Sequence, residues 1–411
     1  MNDLTVSVVI VSRGRPEALR RCLLGVSQLQ YPSFEVVVVA DPGGVETARR
    51  SGFAEDLKIV PFDEPNISAA RNLGIAQAAG EIIAFIDDDA VPEPQWLRHL
   101  VQPAFRSDVA AMGGFVRGRN GISFQWRARR LDRFGEARSI KVDPRRPTVL
   151  SPPKASAVKT EGTNMAFRRE VLVELGGFDP AFHYFLDETD LNMRLARAGL
   201  ATAIVPLAEV HHGFAANRLR GSNRVPKDLF DIGASWAVFQ RKHVPPAEYE
   251  AQWARLRRAE QERLFRYLVS GPLDPFQVRH LMGRLDQGYA EGARRPLLPA
   301  RLPSHPQAPF HPFPSAPRSS SVLPTRPIRL RRDRRKAAER ARNGEIVTLI
   351  SLSPSAAFHT VSFEPDGVWL HQGGIFGKAD REMPLFSVIS RMGRLKKERK
   401  RVASQRGLRE E

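Results

Sequence analysis

Three consecutive aspartates, Asp87-Asp88-Asp89, follow an isoleucine-rich apolar run over residues 82–86. A run of this length predicts a buried strand, and carboxylates at the end of such a strand lie where open α/β sheets bind their ligands. On an extended backbone Asp87 and Asp89 point the same way. Hard cations such as Mg²⁺ are held by one or two carboxylates together with substrate phosphates. The triplet therefore indicates a metal site, with an acidic strand-to-loop junction as the plainer alternative.

Two further polar groups lie downstream. Asp187-Glu188 and Asp190 occupy the start of a predicted helix, where carboxylates also suit the helix dipole. His211-His212 follows a predicted strand, and a neutral imidazole is a common metal ligand. His212 is therefore a candidate ligand, and a purely structural histidine is the alternative.

The elements that must position these residues alternate between strand and helix in the first quarter of the chain. Apolar runs predict strands at Val6–Val11, Phe34–Ala40 and Ile82–Ile86, and helical periodicity predicts helices at Arg15–Leu29 and Ile67–Ala79. Continuous rather than alternating apolar strands indicate a mostly parallel sheet that is covered on both faces. The predicted fold class is therefore α/β with a Rossmann-like central sheet.

Changes in composition divide the chain. We expect a first domain at 1–222, a helical extension at 223–293, a Pro-rich disordered linker at 294–328, and a basic segment with a small β-rich module and basic tail at 329–411. Residues 296–327 hold ten of the 32 prolines, which is typical of a stiff linker. The cationic runs Arg329–Arg342 and Arg391–Arg401 are typical of solvated helix faces.

The bulk composition limits the classes of function. The single cysteine, Cys22, excludes an intramolecular disulfide and a cysteine-built metal site. The net charge of +18 favours an anionic partner, either nucleotide phosphates or an anionic membrane surface. Nucleic acid is disfavoured, because we find no aromatic interleaving of the kind RNA modules use. No apolar run approaches the roughly 18–20 residues that span a bilayer. We expect a cytoplasmic protein, with peripheral association at the inner face of the cell membrane as an open alternative.

Several short motifs, in this order along the chain, resemble glycosyltransferase family 2. They are residues 8–12 (VVIVS), 66–74 (NISAARNLG), 80–89 (GEIIAFIDDD), 162–168 (GTNMAFR), 176–179 (GGFD) and 187–191 (DETDL). The resemblance implies a GT-A fold and transfer of a sugar from a nucleotide-sugar donor to an acceptor hydroxyl, with inversion at the anomeric carbon. It also implies Mg²⁺ or Mn²⁺ as the cofactor.

The resemblance also implies roles for single residues. A metal ion would stabilise the charge that builds on the leaving diphosphate, and its implied ligands are Asp89, Asp87 and, as a weaker candidate, His212. The implied donor-binding residues are Ser12, Arg13, Asp41, Arg71, Asp87 and Asp88. The implied residues on the acceptor or sugar side are Gly162, Asn164 and Asp190.

The remaining role is that of the general base. An inverting transfer needs one base to take the acceptor proton, and the family's Glu-Asp pair corresponds here to Asp187-Glu188 in reversed order. We expect Glu188 to be the base, with Asp187 as the fallback. Asp41 precedes Pro-Gly-Gly instead of the small polar turn usual in the family, so the base of the donor nucleotide stays open.

Two other classes of function remain open from the sequence. A nucleotidyltransferase on a related fold would share the sheet and the metal aspartates, and residues 12–15 (SRGR) are a faint version of its glycine-rich loop. A non-catalytic glycan-binding or scaffold protein is the other alternative. The donor sugar, the oligomeric state and the acceptor, whether a glycan, a lipid-linked sugar or another hydroxyl, also stay open.

Overall fold

The structure is a computed structural model that describes residues 3–152, 156–213, 218–221, 223–297, 301–380 and 382–409. The strands are β1 (Val6–Ser12), β2 (Phe34–Ala40), β3 (Leu57–Pro61), β4 (Ile82–Asp87), β5 (Ala90–Pro92), β6 (Val109–Arg117), β7 (Phe124–Trp126), β8 (Arg129–Leu131), β9 (Ala137–Ser139), β10 (Thr148–Leu150), β11 (Ala157–Lys159), β12 (Met165–Arg168), β13 (Ala201–His212), β14 (Ser320–Thr325), β15 (Ile346–Ser353), β16 (Thr360–Phe363) and β17 (Trp369–Gly374). The helices are α1 (Pro16–Val26), α2 (Pro42–Arg49), α3 (Ile67–Gln77), α4 (Trp96–Val101), α5 (Arg169–Glu174), α6 (Asp187–Arg197), α7 (Phe230–His243), α8 (Tyr249–Val269), α9 (Pro275–Gly292), α10 (Leu330–Arg342) and α11 (Arg391–Arg406).

The central sheet has the strand order β10-β13-β6-β12-β4-β1-β2-β3, with β5 paired to β13 and β7 to β6. Strands β1 to β4 run parallel to one another. Strand β12 lies antiparallel between β4 and β6, and β13 runs parallel to β6. The predicted fold class, α/β with a mostly parallel central sheet and helices on both faces, is confirmed.

Alternate residues of β1 enter two separate apolar cores. Val8 and Ile10 pack with α1, α2 and α4 on one face of the sheet. Val9 packs with α3, α5 and α6 on the other face. Burial of both faces explains the continuous apolar strands. Because β1 and β4 are parallel, with Val11 opposite Asp87, the loops after these strands share one edge of the sheet.

The predicted helical extension consists of α7, α8 and α9. Glycines let α7 and α9 approach closely, since a Cβ on Gly233 would lie 2.0 Å from the Leu285 carbonyl oxygen and one on Gly288 would lie 1.9 Å from that of Phe230. Among the described residues, no helix has both the length and the apolar character needed to cross a bilayer. The domain boundaries drawn from the sequence stay predictions.

The Pro-rich segment differs from the disordered linker that composition predicts. The Phe313 ring is buried and stacks on Phe34 of β2 with a centroid distance of 5.3 Å. The backbone N–H of His311 donates to the Glu35 carboxylate at 2.8 Å. Residues 320–325 form β14, which pairs with β15. Prolines cannot donate backbone hydrogen bonds, but the residues between them can still pack and bond. Such residues attach this segment to β2.

The C-terminal module is a four-stranded sheet in the order β14-β15-β17-β16, and α10 and α11 accompany it. The interpretation of both cationic runs as solvated helix faces is wrong for α11, because Arg394, Glu398 and Arg406 are fully buried there. Buried charges need partners, and Arg406 finds its partner, Glu93, in the first domain. Composition does not reveal a partner that is so distant in sequence.

Candidate active site

The three predicted metal ligands lie together at the carboxyl end of β4. Asp87, Asp89 and His212 each offer one ligand atom, and these atoms lie within 4.8 Å of one another. We call this group the cleft cluster. Strand β5 pairs antiparallel with the end of β13, so that Ala90 faces His212. This pairing brings His212 Nε2 to 3.1 Å from Asp89 Oδ1.

The cleft cluster fits a divalent cation. His212 Nδ1 lies 3.0 Å from Gln125 Oε1, an oxygen that accepts the Nδ1 proton. In the neutral imidazole with its proton on Nδ1, the lone pair of Nε2 is available to a cation held beside the carboxylates. Two carboxylates with one imidazole form a donor set suited to hard or borderline divalent metals.

Arg15 neutralises the aspartate triplet from the loop after β1. Its Nη2 lies 2.5 Å from Asp88 Oδ1, and its Nη1 lies 3.2 Å from Asp89 Oδ2. The Ser12 hydroxyl donates to Asp88 Oδ2 at 2.7 Å. Burial raises the pKa of Asp88 to about 7, against the effect of Arg15. Asp88 therefore holds the β1 loop, and the Ser12 hydroxyl, which was predicted to contact the donor, is already bound to Asp88.

Arg71 connects the triplet with the downstream acidic pair. The guanidinium is buried, donates to Asp187, and lies 3.5 Å from Asp87 Oδ1. It also donates to the Gly162 carbonyl at 3.3 Å. A Cβ on Gly162 would lie 2.7 Å from Arg71 Nη2, so Gly162 makes room for the arginine. The structure thus brings together Arg71, Gly162 and both acidic groups.

The acidic pair at the start of α6 is held by two cations. Glu188 Oε1 accepts a hydrogen bond from Lys159 Nζ at 2.8 Å. Burial alone would raise the pKa of Glu188, but Lys159 lowers it to about 2. Burial raises the pKa of Asp187 to about 7 in spite of Arg71. The Glu188 side chain is 17 % exposed and that of Asp187 is 4 % exposed, so Glu188 is the more accessible of the two.

The backbone before the acidic pair is strained. Phe185 and Leu186 have φ values of 71° and 67°, a left-handed conformation that residues other than glycine rarely adopt. The Ser235 hydroxyl of α7 donates to the Tyr184 carbonyl at 2.6 Å, and the Phe185 ring packs edge-on against Trp236 at 5.9 Å. Packing against α7 therefore maintains the turn that aims the first turn of α6, and such strain is concentrated at functional sites.

A cleft of about 460 Å³ opens beside Asp87, which is within the size range of small-molecule sites. Its lining residues include Arg13, Phe62, Asn66, Tyr184 and Arg218. Arg13 is partly exposed there, with its Nε 3.1 Å from Asp63 Oδ1. The predicted donor residues Arg13 and Asp87 thus both line this cleft.

Asp41 does not line the cleft. It is the N-cap of α2, where Oδ1 accepts from the Gly44 N–H and Oδ2 from the Gly14 N–H, both at 2.9 Å. We predicted a donor contact, and the structure shows that both oxygens instead hold the backbone around the β1 and β2 loops. Asp followed by proline at the first helical position is a helix-start signal, so the sequence did carry this information.

Asn164 and Asp190 were predicted on the acceptor side, and the structure places both in the interior. The Asn164 amide is buried and donates to the Phe115 and Ala208 carbonyls at 2.9 and 2.8 Å. Asp190 is fully buried, with its Oδ1 2.7 Å from His243 Nε2. Their polar atoms are used to join elements of the fold, which corrects the predicted acceptor contact for both.

Arg15, Gln125 and Lys159 contact the predicted site residues, and the sequence did not predict a role for them. Each acts through a contact between distant segments. Arg15 ends the faint glycine-rich loop at residues 12–15, whereas Gln125 and Lys159 lie in none of the motifs. The sequence holds a weak indication that Lys159 is buried, because this residue follows an apolar pair and lies shortly before the motif that begins at Gly162. A buried lysine in such a position needs an acidic partner.

The family comparison agrees with this geometry. Residues 3–224 match a family model described as Glycosyltransferase like family 2. The O-antigen biosynthesis protein RfbC of Myxococcus xanthus is 29 % identical over 264 residues, which are 57 % of this chain and 19 % of RfbC. Glycosyltransferase AglE of Haloferax volcanii is 40 % identical over 118 residues, 27 % of this chain and 39 % of AglE.

A second protein of Haloferax volcanii, glucosyl-dolichyl phosphate glucuronosyltransferase, is 31 % identical over 185 residues, 43 % of this chain and 56 % of that protein. The matches with these three relatives thus cover between 19 % and 56 % of the relatives' own lengths. The family model covers more than half of this chain. The protein belongs to the family described as Glycosyltransferase like family 2.

Proposed function

We propose that the protein is a metal-dependent inverting glycosyltransferase, which moves a sugar from a nucleotide-diphosphate donor to an acceptor hydroxyl in the synthesis of a polysaccharide, glycolipid or other cell-surface glycan. The single observation that carries this proposal is the cleft cluster beside a cleft of about 460 Å³. Family membership supports the reaction class. The activity of the whole chain is part of the proposal, because the relatives are longer than the matched region.

Asp87, Asp89 and His212 would hold Mg²⁺ or Mn²⁺. When bound, such an ion supplies a Lewis acid that stabilises negative charge on a leaving diphosphate. Gln125 orients the imidazole for this role through Nδ1. Arg15 keeps the remaining charge of the triplet balanced, since it pairs with two carboxylates of the triplet.

The cleft would bind the nucleotide part of the donor. Arg13 and Arg218 supply positive charge along its wall, and Phe62 supplies an apolar surface. Arg71 lies between Asp87 and Asp187, where its buried charge would attract the diphosphate held at Asp87. Such a lining would favour a nucleotide diphosphate sugar without identifying its base.

Glu188 would accept the proton of the acceptor hydroxyl. Geometry decides first between candidate bases, and Glu188 is the more exposed member of the acidic pair. Lys159 lowers the pKa of Glu188, so the carboxylate is ionised near neutral pH. A carboxylate of lowered pKa is a weak base, so the assignment rests on the exposure of Glu188 and not on its pKa. Asp187, with its pKa near 7 and its ion pair to Arg71, orients the arginine and remains the fallback.

The names of the relatives support a glycan or a lipid-linked sugar as the acceptor. They do not identify the acceptor more closely. A cytoplasmic location at an anionic membrane surface is part of the proposal. Val269 and Phe276, at the turn between α8 and α9, are 88 % and 84 % exposed, and the exposed Arg266 and Arg279 lie beside them. Salt-sensitive binding to phosphatidylglycerol vesicles tests this part.

Donor hydrolysis tests the central proposal. Purified protein is incubated with a panel of nucleotide sugars in Mn²⁺ or Mg²⁺, with EDTA as the control. We expect slow, metal-dependent release of a nucleoside diphosphate. Release of pyrophosphate would support a nucleotidyltransferase instead. A protein that binds neither metal nor nucleotide would be the non-catalytic alternative.

Glu188→Gln tests the assignment of the base. We expect transfer to fall by about 10²–10⁴-fold, the usual contribution of a positioned base, while Mn²⁺ affinity measured by titration calorimetry stays unchanged. Glu174→Gln, at an exposed position of α5, is the matched control and should keep full activity. Normal turnover in Glu188→Gln would remove this residue from the mechanism.

A further inference from the structure

We infer that Arg406, at the end of α11, is a positioning residue for the metal ligands. Through Glu93 and His211 it holds β5 and β13 in the arrangement that brings Asp89 and His212 together. The inference rests on the metal site of the proposed function. It makes the C-terminal module a structural part of that site instead of an accessory tail.

Arg406 is fully buried and donates from all three of its nitrogens. Its Nε and Nη2 donate to the two carboxylate oxygens of Glu93 at 2.9 and 3.0 Å. Its Nη1 donates to Thr348 Oγ1 at 3.0 Å and to His371 Nε2 at 2.9 Å. The guanidinium also lies 4.3 Å from the centre of the Trp369 ring. A bidentate pair of this kind fixes orientation as well as distance.

Glu93 carries this restraint to the metal ligands. It lies four residues after Asp89, directly beyond β5. Its Oε1 also accepts from His211 Nε2 at 2.9 Å, and its backbone N–H donates to the Glu209 carbonyl at 3.1 Å. Glu93 therefore joins the segment that carries Asp89 to the strand that carries His212.

The restraint matters because β5 is only three residues long. A ladder that short has little stability of its own, so the side-chain contacts at its end help to determine where Asp89 lies relative to His212. Without Arg406, Glu93 would be a buried carboxylate that has lost its bidentate partner. An uncompensated buried charge of this kind is strongly unfavourable, and the segment would relax until water reached Glu93.

The test compares three full-length variants, Arg406→Met, Glu93→Gln and the double variant, by calorimetric titration with Mn²⁺ in the absence of donor. We expect Arg406→Met to weaken Mn²⁺ binding by roughly 10-fold, the lower end of the loss seen when a residue bonded directly to a ligand is removed, because Arg406 acts on Asp89 and His212 only through Glu93. The double variant lacks the same restraint, so it should bind Mn²⁺ about as weakly as Arg406→Met, with no further loss. Lys400→Met, at an exposed position on α11, should bind Mn²⁺ like the wild type.

Four results would overturn the inference. Arg406→Met could unfold at a lower temperature yet bind Mn²⁺ normally, and Arg406 would then only stabilise the docked module. The double variant could recover the wild-type affinity, which would show that an unpaired charge on Glu93, and not a lost restraint, weakens binding in Arg406→Met. If Arg406→Met does not fold, Arg406→Lys, which keeps the charge without the fork, should show intermediate affinity, and unchanged affinity would contradict the inference. A wild-type protein that binds no Mn²⁺ would instead remove the metal site of the proposed function, and this inference with it.

Discussion

Two groups of side chains in the described part of the chain place three possible metal-ligand atoms within 4.8 Å of one another. One is the cleft cluster. The other, which we call the buried histidine cluster, consists of His359, His371 and Glu398 in the C-terminal module. Both combine imidazole and carboxylate groups at a similar spacing, two carboxylates with one histidine in the cleft cluster and two histidines with one carboxylate in the other. They differ in the groups that face the second nitrogen of each imidazole, and we expect this difference to decide which cluster receives a cation.

In the buried histidine cluster, hydrogen-bond donors surround the possible ligands. His371 Nε2 accepts from Arg406 at 2.9 Å, so Nδ1 carries the proton and donates to His359 Nε2 at 3.0 Å. A metal on Nδ1 would force the proton onto Nε2, where it would face an arginine N–H. Glu398 Oε1 is paired with Arg394 and Arg401 at 2.9 and 3.0 Å. Both ring nitrogens of His371 are therefore used, although His359 Nδ1 and Glu398 Oε2 have no hydrogen-bond partner among the described residues. The positive charge of the nearby arginines opposes a cation at this cluster.

In the cleft cluster, acceptors surround the imidazole. Both ring nitrogens of His212 face oxygen atoms, Gln125 Oε1 on one side and Asp89 Oδ1 on the other. The comparison teaches that ligand types within reach of one another do not define a metal site. The tautomer that the outer hydrogen bond imposes is equally important.

The largest expected effect separates the two clusters directly. We expect one Mn²⁺ ion per wild-type chain by titration calorimetry. Asp89→Asn should weaken this binding by more than the roughly 100-fold that loss of an outer-shell partner brings, because a charged ligand is removed. His359→Asn should leave both stoichiometry and affinity unchanged. A second ion per chain, lost in His359→Asn, would break the comparison.

The buried histidine cluster should make the stability of the fold sensitive to acid. Burial, and then three nearby arginines, lower the pKa of His359 from 6.5 to about 3, so the folded protein keeps this histidine neutral. Between pH 6.5 and 3 the unfolded chain binds the extra proton, and stability therefore falls as the pH drops through this window. The slope from one such histidine is at most about 1.4 kcal/mol per pH unit.

Urea unfolding at several pH values in EDTA, which removes any metal contribution, measures this slope. We expect His359→Asn to show a shallower decline below pH 6.5 than the wild type. Replacement of the exposed His280 by Asn should leave the slope unchanged. Equal slopes in wild type and His359→Asn would contradict the assignment of a neutral buried histidine.

The cleft cluster could be predicted from the sequence because periodic signals determine it. Continuous apolar strands indicate a parallel sheet, and parallel strands end at one edge, so Asp87 and Asp89 could be placed beside the ends of neighbouring strands. His212 followed from its place after a strand. Local pattern thus places these residues near the ends of strands, and the family resemblance implies that they form one ligand set.

The surrounding residues could not be predicted, because their partners are distant in sequence. Gln125 and Lys159 lie on strands of three residues, which are too short for a period to be detected. Arg406 pairs with Glu93, more than 300 residues away, and the charge run that precedes it resembles a solvated helix. The sequence thus indicates which residues can bind a ligand more readily than which residues orient them.

At the cleft cluster itself, the smallest expected effect on Mn²⁺ affinity comes from removing one hydrogen bond, the one between Gln125 and His212. Gln125→Ala removes the acceptor that holds the proton on His212 Nδ1, so the imidazole can turn its protonated nitrogen toward Asp89. We expect Mn²⁺ affinity to fall by roughly 10–100-fold. Gln125→Glu keeps an acceptor at this position and should retain wild-type affinity or exceed it. If Gln125→Ala binds Mn²⁺ as tightly as the wild type, the outer hydrogen bond does not select the tautomer, and the contrast with His371 loses its physical basis.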